Sequence, residues 1–243
     1  MTTFANVLRR QLRDPGRPLV TFYDESTGER VELSVATYAN WVAKASGLLV
    51  EELGLERGQR LRVDLPPHWL GAVFLGAAWN SGLVITDATP DARPDAVVCG
   101  PGTLSRWAPL ASATPVLACS LLPLGVCFRD PLPAGVHDVG VEVWGQPDSF
   151  VPWDPPGDDD PAVEQAGLVT SQGDWWAAAG GSGRADGSRL LSEADPASPP
   201  GAASFAEPLV VGGSLVLVTG ADAARLDAIA EAERVTERWT PRS

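Results

Sequence analysis

Lysine is almost missing from this sequence: Lys44 is the only one among 243 residues, and arginine supplies the other strong cations. That rules out chemistry needing a second lysine, whether as a Schiff-base amine or as a point charge on a transferring phosphate. Histidine is scarce too. His68 and His137 are the only two, and neither has a serine, cysteine or carboxylate at a recognisable catalytic spacing. The nucleophile-elbow pattern G-x-S-x-G is absent. Cys99, Cys119 and Cys127 show no C-x-x-C spacing and lie in or beside apolar runs. They read as buried free thiols in a reducing, cytoplasmic setting. Two distant histidines and three scattered cysteines make no zinc site. Asp158-Asp159-Asp160, flanked by prolines, reads as a solvated linker and not as a cation site shared with Glu164. No run of 18 apolar residues exists to span a membrane, and the amino-terminal segment lacks the apolar core of a signal peptide. The net charge of −13 disfavours nucleic acid and anionic membrane surfaces, which need clustered cations. There is no Walker-type loop, and no G-x-G-x-x-G follows a strand.

What is present suits an ordinary globular protein. The chain is 44% hydrophobic and 20% charged, and a chain this long buries about 70–75% of its unfolded surface. Phe4, Val7, Leu8 and Leu12 recur at helical spacing after Thr2-Thr3. Residues 18–23 and 31–33 read as strands joined by hairpin chemistry. Ser34 is a good cap for a helix with a stripe from Tyr38 to Leu53, stopped by Gly54. Leu61, Val63 and Leu65 alternate with Arg60, Arg62 and Asp64 as a half-buried strand. A nearly all-apolar helix from His68 to about Asn80, closed by Gly82, leads to a buried strand at 83–86. Residues 96–99 and 116–119 read as two further strands, with Arg106-Trp107 in a short helical connection, and 135–144 is ambiguous. The best linker is 153–161. Beyond it the pattern predicts a helix over 165–179, preceded by a weak strand at most. A flexible glycine loop at 180–183 and a strand at 189–191 follow. Residues 197–206 predict a helical stretch interrupted by Pro199-Pro200. A strong strand at 214–218 and a helix capped by Asp222 close the pattern. Helix and strand alternate as in α/β folds with parallel sheets. Trp175-Trp176 reads as core or interface packing.

Several of these segments, in order, resemble the amino-terminal part of the acyl-adenylate-forming (AMP-binding) ligases, the family of acyl-CoA synthetases, peptide-synthetase adenylation domains and luciferases. Glu32-Leu33-Ser34 through Tyr38 and Trp41 is similar to the "T-Y-x-E-L" segment. Gly54-Leu55-Glu56-Arg57-Gly58-Gln59-Arg60-Leu61 is similar to "G-V-x-x-G-D-R-V". Leu65-Pro66-Pro67 through Gly82 is similar to "L-P-N-S" and the alanine-rich helix after it. The likeness fades from about 90 to 160. It returns at Asp186-Gly187-Ser188-Arg189-Leu190-Leu191, at Pro208 through Val218, and at Glu233-Arg234-Val235-Thr236. It implies an α/β, layered parallel-sheet architecture like the amino-terminal subdomains of those ligases. A first subdomain would cover 1–152, a linker 153–161, and a partial second subdomain 162–243.

The departures from the family bear on function. Its phosphate loop, [ST]-S-G-[ST]-T-G-x-P-K-G, would fall near residues 160–173. Thr170-Ser171-Gln172-Gly173 is one register, as a decayed start of that loop. Alternatively Gly167 through Ser171 matches the segment just after the loop, with the loop itself deleted; this is favoured because Asp174-Trp175-Trp176 then falls on the family's next helix. In both registers the Thr-Gly-x-Pro-Lys-Gly core is missing, and the family's acyl pocket, adenine motifs and lid would lie beyond Ser243. No catalytic residue and no metal ligand is assigned. The cofactor-binding candidates are Thr170, Ser171 and Gly173, together with Arg184 beside the glycine-rich loop. The expectation is a non-catalytic relative with a binding or assembly role. The alternatives are a nucleotide- or acyl-binding module completed by a partner chain, and a diverged ligase-like enzyme. No cofactor is required on this reading, with ATP or AMP the ones to test. The expected partners are a second copy, through residues 208–239 and Trp175-Trp176, or a ligase-like protein.

Overall fold

The computed structural model describes residues 2–240. In chain order the elements are α1 (Phe4–Gln11), β1 (Pro18–Asp24), β2 (Glu29–Ser34), α2 (Val35–Gly47), β3 (Arg60–Asp64), α3 (Trp69–Ser81), β4 (Val84–Thr86), β5 (Ala96–Cys99), α4 (Leu104–Trp107), β6 (Val116–Ala118), β7 (Val136–Asp138), α5 (Val139–Glu142), β8 (Pro161–Gln165), β9 (Leu168–Ser171), α6 (Gln172–Gly180), β10 (Arg189–Ser192), α7 (Pro199–Val210), β11 (Ser214–Thr219), α8 (Ala223–Ala232) and β12 (Glu237–Arg238). They build two sheets, a five-stranded one in the order β12-β10-β11-β1-β2 and a seven-stranded one in the order β7-β6-β5-β3-β4-β8-β9. Every neighbouring pair is parallel except the hairpins β1–β2 and β8–β9. This is the expected α/β architecture. Each sheet, however, takes strands from both sides of the 153–161 stretch, so segments 1–152 and 162–243 do not hold one sheet each.

Helices pack between the two sheets. α3 touches β1 of the smaller sheet and β3 and β4 of the larger, and α7 touches β10, β11 and β8. The composition of α3 explains its place: from Trp69 to Ser81 only Asn80 is not buried, and a helix apolar on every side belongs inside. Strand alternation serves the layers on either side. Leu215 and Leu217 face the central core, while Val216 and Val218 face α8; Ala96 and Val98 face inward, while Val97 and Cys99 face Trp107 of α4.

Most ends lie where their residues put them. The Ser34 hydroxyl accepts from the Thr37 amide, Asp222 caps α8 through the Arg225 amide, and Gly82 closes α3 at φ +74°. The α2 pattern runs on through a π-helical turn, Leu48–Glu52, before Gly54 turns at φ +68°. Residues 135–144 resolve into β7, α5 and a further single turn.

Three expectations are corrected, and one strand is added. The helix predicted over 165–179 starts only at Gln172, because Ala166 and Gly167 both take positive φ (+49° and +78°) and reverse the chain into β9. Pro199-Pro200 do not interrupt a helix; they form the first turn of α7, capped by Ser198, where a missing N–H costs nothing. β12 has no counterpart in the sequence pattern, since two residues carry no periodicity. Cys99 and Cys119 are buried, but Cys127 is exposed, because it lies outside the strands in an irregular stretch. Burial pushes the Cys99 thiol up to about 12 and raises Cys119 as well.

Candidate functional site

In a wound parallel sheet, the loops at the carboxyl ends of the strands form the usual ligand crevice. Here the carboxyl ends of β3 and β10, one strand from each sheet, converge on the first turn of α3. β3 ends at Asp64 and runs through Leu65-Pro66-Pro67 into α3. β10 ends at Ser192, and its following loop turns back so that Pro196 and Ala197 pack on Gly71 in the first turn of α3. One polar group is assembled there from both sheets. Arg62 Nη2 donates to Asp64 Oδ1 at 2.9 Å, and Trp107 Nε1 donates to Asp64 Oδ2 at 2.7 Å. Arg106 pairs with the same carboxylate at 3.4 Å. Asp195 accepts from the Ala197 amide at 2.9 Å. Burial drives the Asp195 carboxyl up to about 6; its bond from Ala197 and the Arg62 charge pull the other way, and Asp64 adds to the rise.

His68 lies four residues beyond Asp64, in the same strand-to-helix connection. It is 4% exposed and caps α3, its Nδ1 accepting from the Leu70 amide at 3.2 Å. An acceptor at Nδ1 places the proton on Nε2 in the neutral ring. That Nε2 is buried without a partner, and burial lowers the ring's pKa to about 4 despite the opposing field of Asp24. The ring meets Phe22 edge-on at 4.9 Å. These strand ends therefore carry an imidazole that burial holds neutral, a carboxyl that burial raises to about 6, and a guanidinium already bound to a carboxylate. This set can hold or move a proton and bind a polar group. It contains no activated nucleophile.

The residues proposed from sequence do not come together. Thr170 is half-buried in β9. Ser171 caps α6, its hydroxyl accepting from the Asp174 amide at 3.1 Å and donating to Asp174 Oδ2 at 2.9 Å. The Gly173 amide donates to the Asp158 carbonyl at 2.8 Å, and a Cβ there would meet that carbonyl at 3.2 Å. Arg184 lies past the other end of α6, about 13 Å of helix away. It is bound by Glu207 and Glu237, both at 2.7 Å. Residues at the phosphate-loop position thus serve as cap and packing. β8 and β9 are joined by the two-residue turn Ala166-Gly167, with Gln165 opposite Leu168. Positive φ at both central residues is the type I′ hairpin pattern. This favours the register in which the loop is deleted and Gly167 through Ser171 continues after it. At this position the chain has two turn residues where the family has a loop, and Lys44 is committed to the Gln146 carbonyl and Asp148.

Sequence reasoning missed Arg62, Asp64 and Asp195 as site residues. Arg62 and Asp64 were visible as the polar face of an alternating strand. Nothing local shows that Asp195 returns to them. Trp176 is buried against Phe4 and Trp79, while Trp175 is half-buried, packing on Trp79 and lining a small surface pocket with Ala178 and Ala203. Two clefts, of about 400 and 360 Å³, lie at the opposite, amino-terminal strand ends. One is lined by Val50, Leu55, Arg57, Ser81 and Trp153, the other by Arg17, Glu32, Arg189 and Glu233. Among the described residues, no group of three or more His, Cys, Asp or Glu could hold a metal ion, and no helix is long and apolar enough to cross a membrane.

Comparison with known proteins matches this geometry to a family and a fold. No family model matches the chain. A TIGR03089 family protein of Mycobacterium tuberculosis is 34% identical over 229 residues, covering 92% of this chain and 91% of that protein. Among solved structures, an acyl-CoA synthetase of Brucella canis superposes with a TM-score of 0.82 at 17% identity. An anthranilate CoA ligase in complex with anthranoyl-AMP gives 0.77 at 14%, and a coronafacic acid ligase of Pectobacterium brasiliense gives 0.75 at 14%. Each superposition covers 98% of this chain and 47–49% of the other, so the chain spans about half the length of these ligases.

Proposed function

Because the chain belongs to the TIGR03089 family and has the fold of the amino-terminal part of the adenylate-forming ligases, we propose that it is a non-catalytic member of that fold with a binding or assembly role. The Ala166-Gly167 turn carries this reading. In the ligases the segment at that position wraps the ATP phosphates with backbone donors, a hydroxyl and a lysine. Donors of this kind act on the charge that develops in the transition state, and losing a single one costs about 2.7–4 kcal/mol of barrier. Here the whole set is replaced by two residues that turn a hairpin.

Pyrophosphate exchange tests this reading. The purified chain, given ATP, labelled pyrophosphate and a panel of carboxylic acids, is expected to exchange no faster than a heat-killed control. Exchange above that control with any acid would overturn the proposal and point to a diverged ligase-like enzyme.

A second reading is favoured by the polar group around Arg62, Asp64, Asp195 and His68, which keeps buried, unsatisfied donors at the strand ends. On this reading the chain is a nucleotide- or acyl-binding module, completed by a partner chain. Since the anthranilate CoA ligase binds an acyl-adenylate on this fold, acyl-adenylates are suitable probes beside ATP and AMP. Saturation at 100 times Kd adds about 2.7 kcal/mol of stability, a Tm shift of several degrees for a chain of this size. A shift with AMP or an adenylate, without exchange, would select the second reading over the first.

A further inference from the structure

The segment between α5 and β8 leaves two large apolar side chains almost wholly in water: Val151 is 83% exposed and Trp153 is 95% exposed. Pro152, Pro155 and Pro156 bracket the tryptophan and fix φ at three positions. Trp153 is therefore presented at a bend in a proline-stiffened stretch that has little freedom left to lose when something binds it. It stands at the lip of the 400 Å³ cleft, whose walls include Val50, Leu55 and Pro152. In the same cleft the Ser81 hydroxyl is buried with no hydrogen-bond partner. An exposed indole beside a cleft with part-apolar walls and an orphaned polar group has the anatomy of an uncovered interface.

Charge around the cleft selects what covers it. Glu56 and Asp154 line the cleft, Asp160 pairs with its Arg57, Glu51, Glu52 and Asp159 lie close by in sequence, and residues 146–160 contain no lysine, arginine or histidine. The one cation on the cleft wall, Arg57, is bound to Asp154 at 2.9 Å and to Asp160 at 3.2 Å. We propose that this face docks a basic partner protein, with Trp153 as the anchor and arginines of the partner on its ring and on the surrounding carboxylates. A guanidinium is the cation suited to both, since it stacks on an indole face and forks onto a carboxylate. A second copy is the wrong occupant. Each copy carries −13, and a two-fold contact would set the same acids against each other. Nucleic acid is excluded by the same sign of charge.

This inference rests on the assembly reading above, and the two fail separately, because pyrophosphate exchange reports on the first and peptide binding on the second. The test uses the full chain labelled with ¹⁵N, in which the Trp153 indole resonance is identified by its loss in Trp153→Phe. Nona-arginine, nona-lysine and a glycine–serine peptide are titrated in. Nona-arginine is expected to shift the Trp153 resonance, and nona-lysine to bind more weakly. Affinity should fall as salt rises from about 50 to 200 mM. Trp153→Ala should weaken nona-arginine binding about tenfold or more, with Tm unchanged because the side chain touches so little. Asp154→Asn with Asp159→Asn should flatten the salt dependence. The proposal is overturned if the Trp153 resonance does not move, if Trp153→Ala binds as tightly as the parent, or if sedimentation finds a dimer that Trp153→Ala dissolves, which would make a second copy the occupant.

Discussion

Gly76 sits where α3 crosses α2. A Cβ there would fall onto the Tyr38 hydroxyl and within 2.8 Å of Val42 Cγ2. On propensity alone, alanine at this helical position gains about 1 kcal/mol. Overpacking costs about 1–3 kcal/mol, and Tyr38 must also give up its 2.9 Å bond to the Ala72 carbonyl, at about 1–3 kcal/mol more for a buried group. The clash wins, so Gly76→Ala should destabilise the protein by about 2–4 kcal/mol, read as a lower urea midpoint with unchanged slope. A second prediction at this scale concerns pH. Asp195 is raised to about 6 in the fold, so its contribution is present below about pH 4 and is lost as pH rises through 6. His68 is lowered to about 4, so its contribution is present above about 6.5 and is lost as pH falls toward 4. The two slopes oppose each other across the same window. Asp195→Asn should therefore uncover a stability that climbs with pH between 4 and 6.5. His68→Asn, which keeps an acceptor for the cap, should uncover one that falls. Chemical denaturation at half-unit pH steps checks both, and parallel slopes in the two variants would contradict the assignment. Below this window Glu233 takes over. Burial opposes its ionisation, but bonds from Tyr23, Arg30 and Arg189 outweigh it and hold the carboxyl down to about 2. Its stabilisation is thus present above about 4.5 and is lost progressively as pH falls toward 2.

Elements were legible where their ends carry their own chemistry. Ser34, Asp222, Gly54 and Gly82 mark caps and stops that need no tertiary knowledge, and the unbroken apolar run of α3 announces its burial. The β8–β9 hairpin was not legible, for a physical reason. Ala166 is a helix former by propensity, yet it occupies a left-handed position at φ +49° that alanine seldom takes. The pairing of β9 with β8 imposes it. Ala166→Asn, giving the Asn-Gly sequence that type I′ turns prefer, is expected to stabilise the protein by about 0.5–1 kcal/mol. Its amide would keep the 3.0 Å bond to Asp87 Oδ2. Hydrogen exchange in β8 and β9 should slow accordingly; unchanged or faster exchange would mean that the turn is not under strain. The candidate site divides in the same way. Arg62 and Asp64 stand out as polar residues facing one way on a short strand, whereas Asp195 joins them only because β10 and β3 lie in different sheets that share α3.

At the scale of the whole molecule, local pattern says which segments are strands but not which strands meet. Residues 18–34 read as an independent hairpin, yet β1 is a central strand held between β2 and β11, with Val20 opposite Leu215. The 153–161 stretch looks like a boundary by composition, while β4 pairs with β8 directly across it. A protease nick between Gly157 and Asp159 should therefore leave a single particle in native size exclusion, with two fragments only after denaturation. Residues 1–152 expressed alone should remain unfolded by circular dichroism and amide dispersion. A folded 1–152 fragment would show that the two halves are separable after all.

The place of β1 also sets a schedule for the nascent chain. Its neighbour β11 is made nearly the whole chain length later, which at 5–20 residues per second is a wait of roughly 10–40 s. Throughout that interval Leu19, Val20 and Phe22, all fully buried in the finished protein, have β2, α2 and α3 to pack against but one edge of their strand unpaired. A strand made early is paired on its second edge only late. The amino-terminal hairpin is thus the segment that a chaperone would have most time to hold, and where crowded synthesis would first go astray.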